Sequence, residues 1–470
     1  MKTSSRADLS AAFRCVFPLL ILLVLLAGCA TSDSVSRGAK LPGGSAAATT
    51  RFFVNLSSRP HLQAASAISD YAGRGQFVVD ELRRNAAASQ GPVISFLEQR
   101  NVKYEAFWIA NTIVVEGDEE TRRLVAALPG VESVEDDAQV GLDDPPATAS
   151  AARQPTPDAT GLIIEPNVSR VNAPQVWDMG ADGTGIVVGV MDTGFQPHPA
   201  IAKQFRGEWI DVSGSRCASP CDDNGHGTHV TGTILGRDGA NAIGVAPGAK
   251  FIACKALKNG SGEWSAVITC LQWFMMSSDP ARRPQIVSMS LGGGNSLALA
   301  QAMTSLQATG TLPVAAAGNN GACKTMSYPG GLSNVLAVGA LTEDESTNTL
   351  ANYSSSGPLS NSSQIKPDVV AQGTSVRSAW LSGAYRSISG TSMATPAVSG
   401  VAALVMSARP SWVGHPADVA QLLRETANGN VSAPNRPTCN GGYPSNATGW
   451  GLVDAQAAVI QAEMPPSRRQ

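Results

Sequence analysis

Three short motifs place a carboxylate, an imidazole and a hydroxyl along the chain in the order Asp192, His226, Ser392. Asp192 ends an apolar run and is followed by Thr193-Gly194. His226 stands between Gly225 and Gly227, and Ser392 lies in the stretch Gly390-Thr391-Ser392-Met393-Ala394-Thr395-Pro396. A serine hydroxyl at its ordinary pKa is a poor nucleophile. A neutral imidazole can take its proton, and a carboxylate can hold that imidazole in the required tautomer. A serine opening a helix also offers its own N–H where the helix dipole favours developing negative charge. Ser392 is therefore expected to combine an exposed hydroxyl with an anion-stabilising amide.

Taken singly, each residue has a plainer explanation. An aspartate at a strand end is commonly a turn former. His226 and His229 are one helical turn apart and would suit zinc, but no third ligand follows at the spacing a zinc helix needs. A serine after Gly-Thr is commonly an N-cap. Ala394 also stands where a G-x-S-x-G elbow needs its second glycine.

The surrounding elements decide between these explanations. From about Ile164 onward, short apolar runs such as 185–192, 250–257, 285–291, 312–317 and 335–341 end in Gly, Asn or Asp, as buried parallel strands do. Helix-compatible segments alternate with them, which predicts a doubly wound α/β fold with a mostly parallel sheet. Ligands meet such sheets at the carboxyl ends of the strands, where Asp192 falls. Residues 51–141 carry a separate strand and helix pattern and predict a small α+β domain. The segment 142–163, rich in Pro, Ala and Asp, reads as an exposed and cleavable linker.

The N-terminus is organised for export. Lys2, Arg6 and Arg14 precede an apolar run ending at Gly28, too short for a comfortable membrane span. Residues 1–28 therefore read as a signal peptide, 29–50 as a flexible linker, 164–463 as the main domain and 464–470 as a tail. Leu26-Ala27-Gly28-Cys29 resembles a bacterial lipobox, which would make Cys29 an acylated first mature residue at a membrane surface. A net charge of -3 with 15% charged residues offers no polyanion-binding surface, so nucleic acid is not an expected partner.

Read together, the motifs resemble the subtilisin-like serine proteases, or subtilases. The resemblance is carried by 187–199, 224–234, 244–257, 287–294, 315–321, 365–378, 389–404 and 449–458, and it covers about Ala173 to Ala458. It implies Ser392 as nucleophile, His226 as general base and then acid, and Asp192 as the residue that fixes the imidazole. Asn319 matches the family's oxyanion-hole asparagine, although its neighbour Asn320 is chemically equal. Gly260-Ser261-Gly262 and Ser290-Leu291-Gly292 correspond to the two edges that take a substrate peptide as an added strand. The resemblance further implies that the 51–141 domain is an inhibitory, ferredoxin-like prodomain, with Val131 to Asp137 as its closing segment. Self-cleavage would then fall between about Ala138 and Glu165. The protein would be an exported peptidase of broad specificity, acting on proteins or peptides. It would begin as an anchored precursor at the outer membrane or cell surface, and its mature domain would be released.

Catalysis of this kind requires no cofactor and no catalytic metal. The family's usual calcium loop is not recognisable, and the acidic stretch Cys221 to Gly225 suits either a calcium ion or a solvated turn. Cys217, Cys221, Cys254, Cys270, Cys323 and Cys439 remain after Cys15 and Cys29 are set aside, an even number that suits disulfides in an exported protein. Local closure favours Cys217 with Cys221 but does not decide among the other four, for which Cys254 with Cys270 and Cys323 with Cys439 are the expectation. Two alternatives stay open: a dedicated processing protease for a few exported proteins, or a non-catalytic surface lipoprotein on the same fold.

Overall fold

The computed structural model describes residues 49–142, 145, 161–276, 283–359, 364–439 and 441–464. The signal-like segment, Cys29, most of the 29–50 and 142–163 linkers and the end of the tail lie outside the described residues.

The N-terminal subdomain runs β1 (Thr50–Leu56), α1 (Tyr71–Ser89), α2 (Gly91–Gln99), β2 (Lys103–Phe107), β3 (Thr112–Gly117), α3 (Glu119–Ala126), β4 (Val131–Asp136) and β5 (Gln139–Gly141). Its sheet has the order β2-β3-β1-β4 with antiparallel pairing, the arrangement of a ferredoxin-like fold. Alternation along β1 sends Phe52, Val54 and Leu56 to a core shared with Val93, Leu97 and Val125. Phe53 on β1 and Val114 on β3 face the other way, into a cluster with helices of the main domain. Because both faces are covered, β1 reads in the sequence as one apolar run.

The main domain begins with β6 (Ile163–Ile164), α4 (Pro166–Arg170) and α5 (Ala173–Asp178). It continues through β7 (Val187–Asp192), β8 (Phe205–Asp211), α6 (His226–Leu235), β9 (Arg237–Asp238), β10 (Asn241–Ala242), β11 (Lys250–Lys255) and β12 (Ser261–Glu263). Next come α7 (Trp264–Met275), β13 (Ile286–Met289), β14 (Gly292–Gly293), α8 (Leu297–Ala308), β15 (Leu312–Ala316), β16 (Leu336–Leu341) and β17 (Val369–Gln372). The hairpin β18 (Val376–Ala379) and β19 (Tyr385–Ile388) leads to α9 (Thr391–Ala408), α10 (Pro416–Glu425) and α11 (Ala455–Glu463).

The central sheet has seven strands in the order β17-β16-β15-β13-β7-β11-β8, and every ladder in it is parallel. Chain order reverses direction at β7, with β11 on one side and β13 on the other. Such a switch point opens a crevice at the strands' carboxyl ends. All six residues of β7 are buried, which is why it appears as a continuous apolar run rather than an alternating one. Helices α6 and α9 are buried from His226 to Leu235 and from Thr391 to Met406. The length and apolarity of α9 are those of a core helix, since its side chains fill the largest cluster of the domain.

All three cysteine pairs are bonded: Cys217 to Cys221, Cys254 to Cys270 and Cys323 to Cys439. Local closure anticipated the first of these; the other two pairs, which the sequence did not decide, are the expected remainder.

Candidate active site

Asp192 terminates β7 at the switch point, and His226 is the first residue of α6. Gly225 caps that helix at φ +100°, a left-handed conformation that glycine adopts at little cost. Its absent side chain also leaves room for Trp380, whose ring would lie 2.6 Å from a Cβ. His226 Nδ1 and Asp192 Oδ1 are 2.7 Å apart, with side chains only 2% and 1% exposed, so this bond is shielded from water. The geometry fits an imidazole donating Nδ1–H to the carboxylate and keeping Nε2 for proton transfer.

The loop before His226 is organised by Asp222. Its Oδ1 accepts from Thr193 Oγ1, Asn224 N and Gly225 N, and its Oδ2 from Thr228 N and Thr228 Oγ1. Asp223 is taken up by Lys255 Nζ at 2.8 Å and Asn259 N at 3.0 Å. Burial pushes the Asp223 carboxyl up, but these donors outweigh it and hold it below its ordinary value. Both carboxylates of the acidic stretch are therefore engaged by protein donors. His229 turns away from His226: its Nε2 lies 2.9 Å from Val376 O and 3.1 Å from Arg386 O. Burial pulls its pKa down to about 3, so it is a neutral structural ring.

Ser392 is the second residue of α9. Its Oγ donates to Ser290 O at 3.4 Å, and Ser290 Oγ returns a bond to Ser392 O at 2.9 Å. This exchange ties the start of α9 to the residue following β13, the strand paired in register with the one that ends at Asp192. The hydroxyl is not exposed as the sequence suggested: Ser392 is 5% exposed. A Cβ on Gly390, at the same helix start, would lie 3.6 Å from Pro145 Cδ.

Asn319 follows β15, and its Oδ1 accepts from Thr391 N at 2.9 Å and Thr391 Oγ1 at 3.0 Å. A Cβ built on Gly390 would sit 3.4 Å from Asn319 Nδ2 and 3.6 Å from Ser392 N. Two N–H donors thus border one small space that only a glycine leaves open. Asn320 instead donates its backbone N–H to Ser355 Oγ. Of the two asparagines that the sequence left chemically equal, Asn319 is the one whose side chain is bonded to the start of α9.

The two candidate peptide edges flank β5. Ser261, Gly262 and Glu263 pair antiparallel with Gly141, Val140 and Gln139, and Gly292 and Gly293 pair with Gly141 and Val140 from the other side. Leu142 N extends the ladder to Gly260 O at 3.0 Å. Ser290 and Leu291 make no rung with β5. Leu291 instead packs in the cluster that encloses Val140, Leu257 and Trp264. Glu263 and Trp264 were missed as site residues in the sequence, whereas Gly293 adjoins an expected edge and pairs with Val140. The one signal for Glu263 and Trp264 was adjacency to the expected edges.

The subdomain also caps the main domain's helices. Glu135 accepts from Leu297 N, Ala298 N and Ser296 Oγ, each at 3.0 Å, at the start of α8. Asp137 Oδ1 accepts from Ser265 N at 2.9 Å in the first turn of α7. Carboxylates at these ends satisfy orphan N–H groups and oppose the helix dipoles.

The comparisons with known proteins agree with this geometry. A sequence model of the Subtilase family matches residues 183–451. The chain is 32% identical over 432 residues to Bacillopeptidase F of Bacillus subtilis, covering 84% of this chain but only 29% of that protein. It is 34% identical over 368 residues to M-protease of Shouchella clausii, covering 77% of this chain and 83% of that one. It is 36% identical over 295 residues to Subtilisin Savinase of Lederbergia lenta, covering 62% of this chain and 97% of that one. With a family match across the crevice and the helices that frame it, the chain belongs to the subtilase family, the subtilisin-like serine endopeptidases.

Proposed function

We propose that the protein hydrolyses peptide bonds through an acyl-enzyme intermediate. Ser392 is the nucleophile, His226 the base and then the acid, and Asp192 the orienting carboxylate. The observation that carries this reading is the buried 2.7 Å contact between His226 Nδ1 and Asp192 Oδ1 at the sheet's switch point. Attack by Ser392 Oγ on the scissile carbonyl moves its proton to His226 Nε2, and the oxyanion takes bonds from Asn319 Nδ2 and Ser392 N. His226 then protonates the leaving amine, and water repeats the sequence on the acyl group. No cofactor enters these steps.

Residues 139–142 stand in for a substrate peptide between the two edges. Their main-chain ladder supports a broad endopeptidase, because main-chain pairing gives affinity without choosing side chains. The same occupancy supports a zymogen in which the N-terminal subdomain blocks the cleft until the chain is cut in the 142–163 linker. With export and lipidation of Cys29, that cut would release the catalytic domain from a membrane anchor.

The test is the N-terminal sequence and intact mass of the wild-type chain beside Ser392→Ala. The proposal expects wild type cut between Ala138 and Glu165 and the variant whole. Two whole chains, with no activity after an added protease removes the subdomain, would refute it.

A further inference from the structure

The two helix caps described above account for one end of α7 and α8. The opposite ends meet the same subdomain through the first turn of α1. Arg74 Nε donates to Ala308 O, the last residue of α8, at 2.8 Å, and its NH1 donates to Gly414 O at 2.7 Å. At the end of α7, Arg283 Nε donates to Met275 O at 3.1 Å, while its NH1 reaches Ala72 O of α1 at 3.3 Å. Tyr71 donates its hydroxyl to Pro284 O at 2.8 Å, with Thr311 Oγ1 at 3.1 Å. Burial pushes the Tyr71 phenol up to about 12.

Shape follows the same pattern. A Cβ on Gly75 would overlap Arg283, lying 1.5 Å from its NH1, and Cβ atoms on Gly310 and Gly414 would lie 3.2 Å and 3.5 Å from the Tyr71 ring. Gly75 on the helix and Gly310 in its socket therefore let the two approach, while a Cβ at Gly414 would make only ordinary contact. Between the two ends, Gln272 Oε1 accepts from Trp108 N at 3.0 Å and Ser305 Oγ donates to Ile109 O at 2.6 Å.

We infer that Tyr71, Arg74 and Gly75 form a second docking surface, which grips the C-terminal end of α8 directly and that of α7 through Arg283 of the catalytic domain, and holds the subdomain on the catalytic domain independently of β5. Guanidinium groups at helix C-termini oppose the dipole, as the carboxylates do at the N-termini. The subdomain thus brackets α8 end to end, and meets the C-terminal end of α7 through the Arg283 that caps it. Cutting the linker removes the covalent tether but neither set of caps. The subdomain then remains as a bound second chain, and leaves only when both ends release or when it is itself degraded. Calling that bound chain an inhibitor rests on the proposed function; the clamp itself does not.

The experiment uses the full chain with Ser392→Ala and a recognition site for an unrelated protease inserted between Ala151 and Ala152. After cutting, the rate at which the subdomain leaves an immobilised catalytic domain is compared among the parent, Arg74→Gln and Gly75→Val. The clamp predicts a parent complex that persists, with dissociation on the order of 10- to 100-fold faster in each variant. Rates within about twofold of the parent, or a parent that separates at once, would overturn it. Should Gly75→Val fail to fold, Arg74→Gln decides the question. The cut is made by an added enzyme, so the result stands whether or not the wild-type chain processes itself. Failure of self-processing would count against the zymogen and leave the clamp intact.

Discussion

Lys255 Nζ lies 2.8 Å from Asp223 Oδ1, and the same ammonium donates to Thr193 O and Leu257 O, each at 2.7 Å. Lys255 is fully buried. One cation therefore ties the residue after Asp192 to the loop that carries His226. Through Asp223 and Asn259 N, it also reaches the peptide edge at Gly260. Replacing Lys255 by Met leaves Asp223 and two carbonyls without their donor, and breaking a buried pair in this way costs about 3 kcal/mol where one partner keeps some solvent. Urea unfolding of Lys255→Met in the Ser392→Ala background is expected to show that loss. Removing Asp223 as well, by Asp223→Asn, should recover part of it. A Lys255→Met chain as stable as its parent would exclude this role.

Asn319→Ala is expected to lower kcat by about 10²- to 10³-fold with little change in KM, the range seen when an oxyanion donor is removed from a subtilisin. The donor acts only once the carbonyl becomes an oxyanion, so ground-state binding is spared. Asn320→Ala, whose backbone contact to Ser355 survives the substitution, is expected to change kcat by no more than about threefold. Equal effects at the two positions, measured on one peptide substrate, would reject the assignment.

The parts legible in the sequence are those whose physics is local. Asp192, His226 and Ser392 each sit at an element end marked by glycine, and the buried strands announce themselves as apolar runs ended by turn residues. The docking of the subdomain was not legible. Glu135 and Asp137 lie in an acidic segment that reads as a solvated strand end, and only the folded chain brings them to the starts of α8 and α7. Arg74 and Arg283 stand in no motif, and only the fold brings them together at the C-terminal ends of α8 and α7. The burial of Ser392 was missed for the same reason: its surroundings include Ser290, far away in the sequence and brought to the start of α9 only by the fold.

The disulfides are expected to differ in kind. Cys323 and Cys439 are 116 residues apart, and closing a loop of that size stabilises by roughly 4–5 kcal/mol in the chain-entropy account. Cys217 and Cys221 are only 4 apart, for which the same account gives roughly 2 kcal/mol. Double serine replacement of the long-range pair should therefore lower stability more, as read by denaturant unfolding in the Ser392→Ala background. The short pair precedes Asp222, the hub of the His226 loop, so its replacement should lower kcat more than the long pair does. Reversal of either ranking would contradict this division.

Docking of the subdomain is expected to weaken as pH rises. Glu105 on β2 and Glu263 on β12 lie near Asp137, with Arg51 as the facing cation; Arg51 Nε is 3.2 Å from Asp137 Oδ2 and 3.2 Å from Glu263 Oε2. Burial, with the Asp137 charge nearby, raises the pKa of Glu105 and of Glu263 above the ordinary glutamate value. A carboxyl raised on docking binds its proton more tightly in the docked state than in the separated one. Its contribution is full below the ordinary glutamate value and is lost as pH climbs through the raised value. After the linker is cut in the Ser392→Ala chain, the subdomain should therefore leave faster at about pH 8 than at about pH 5 at constant ionic strength. Glu105→Gln combined with Glu263→Gln removes both titrating groups and should flatten that dependence. A parent rate that slows with rising pH, or a double variant that keeps the full pH dependence, would show that other groups control release.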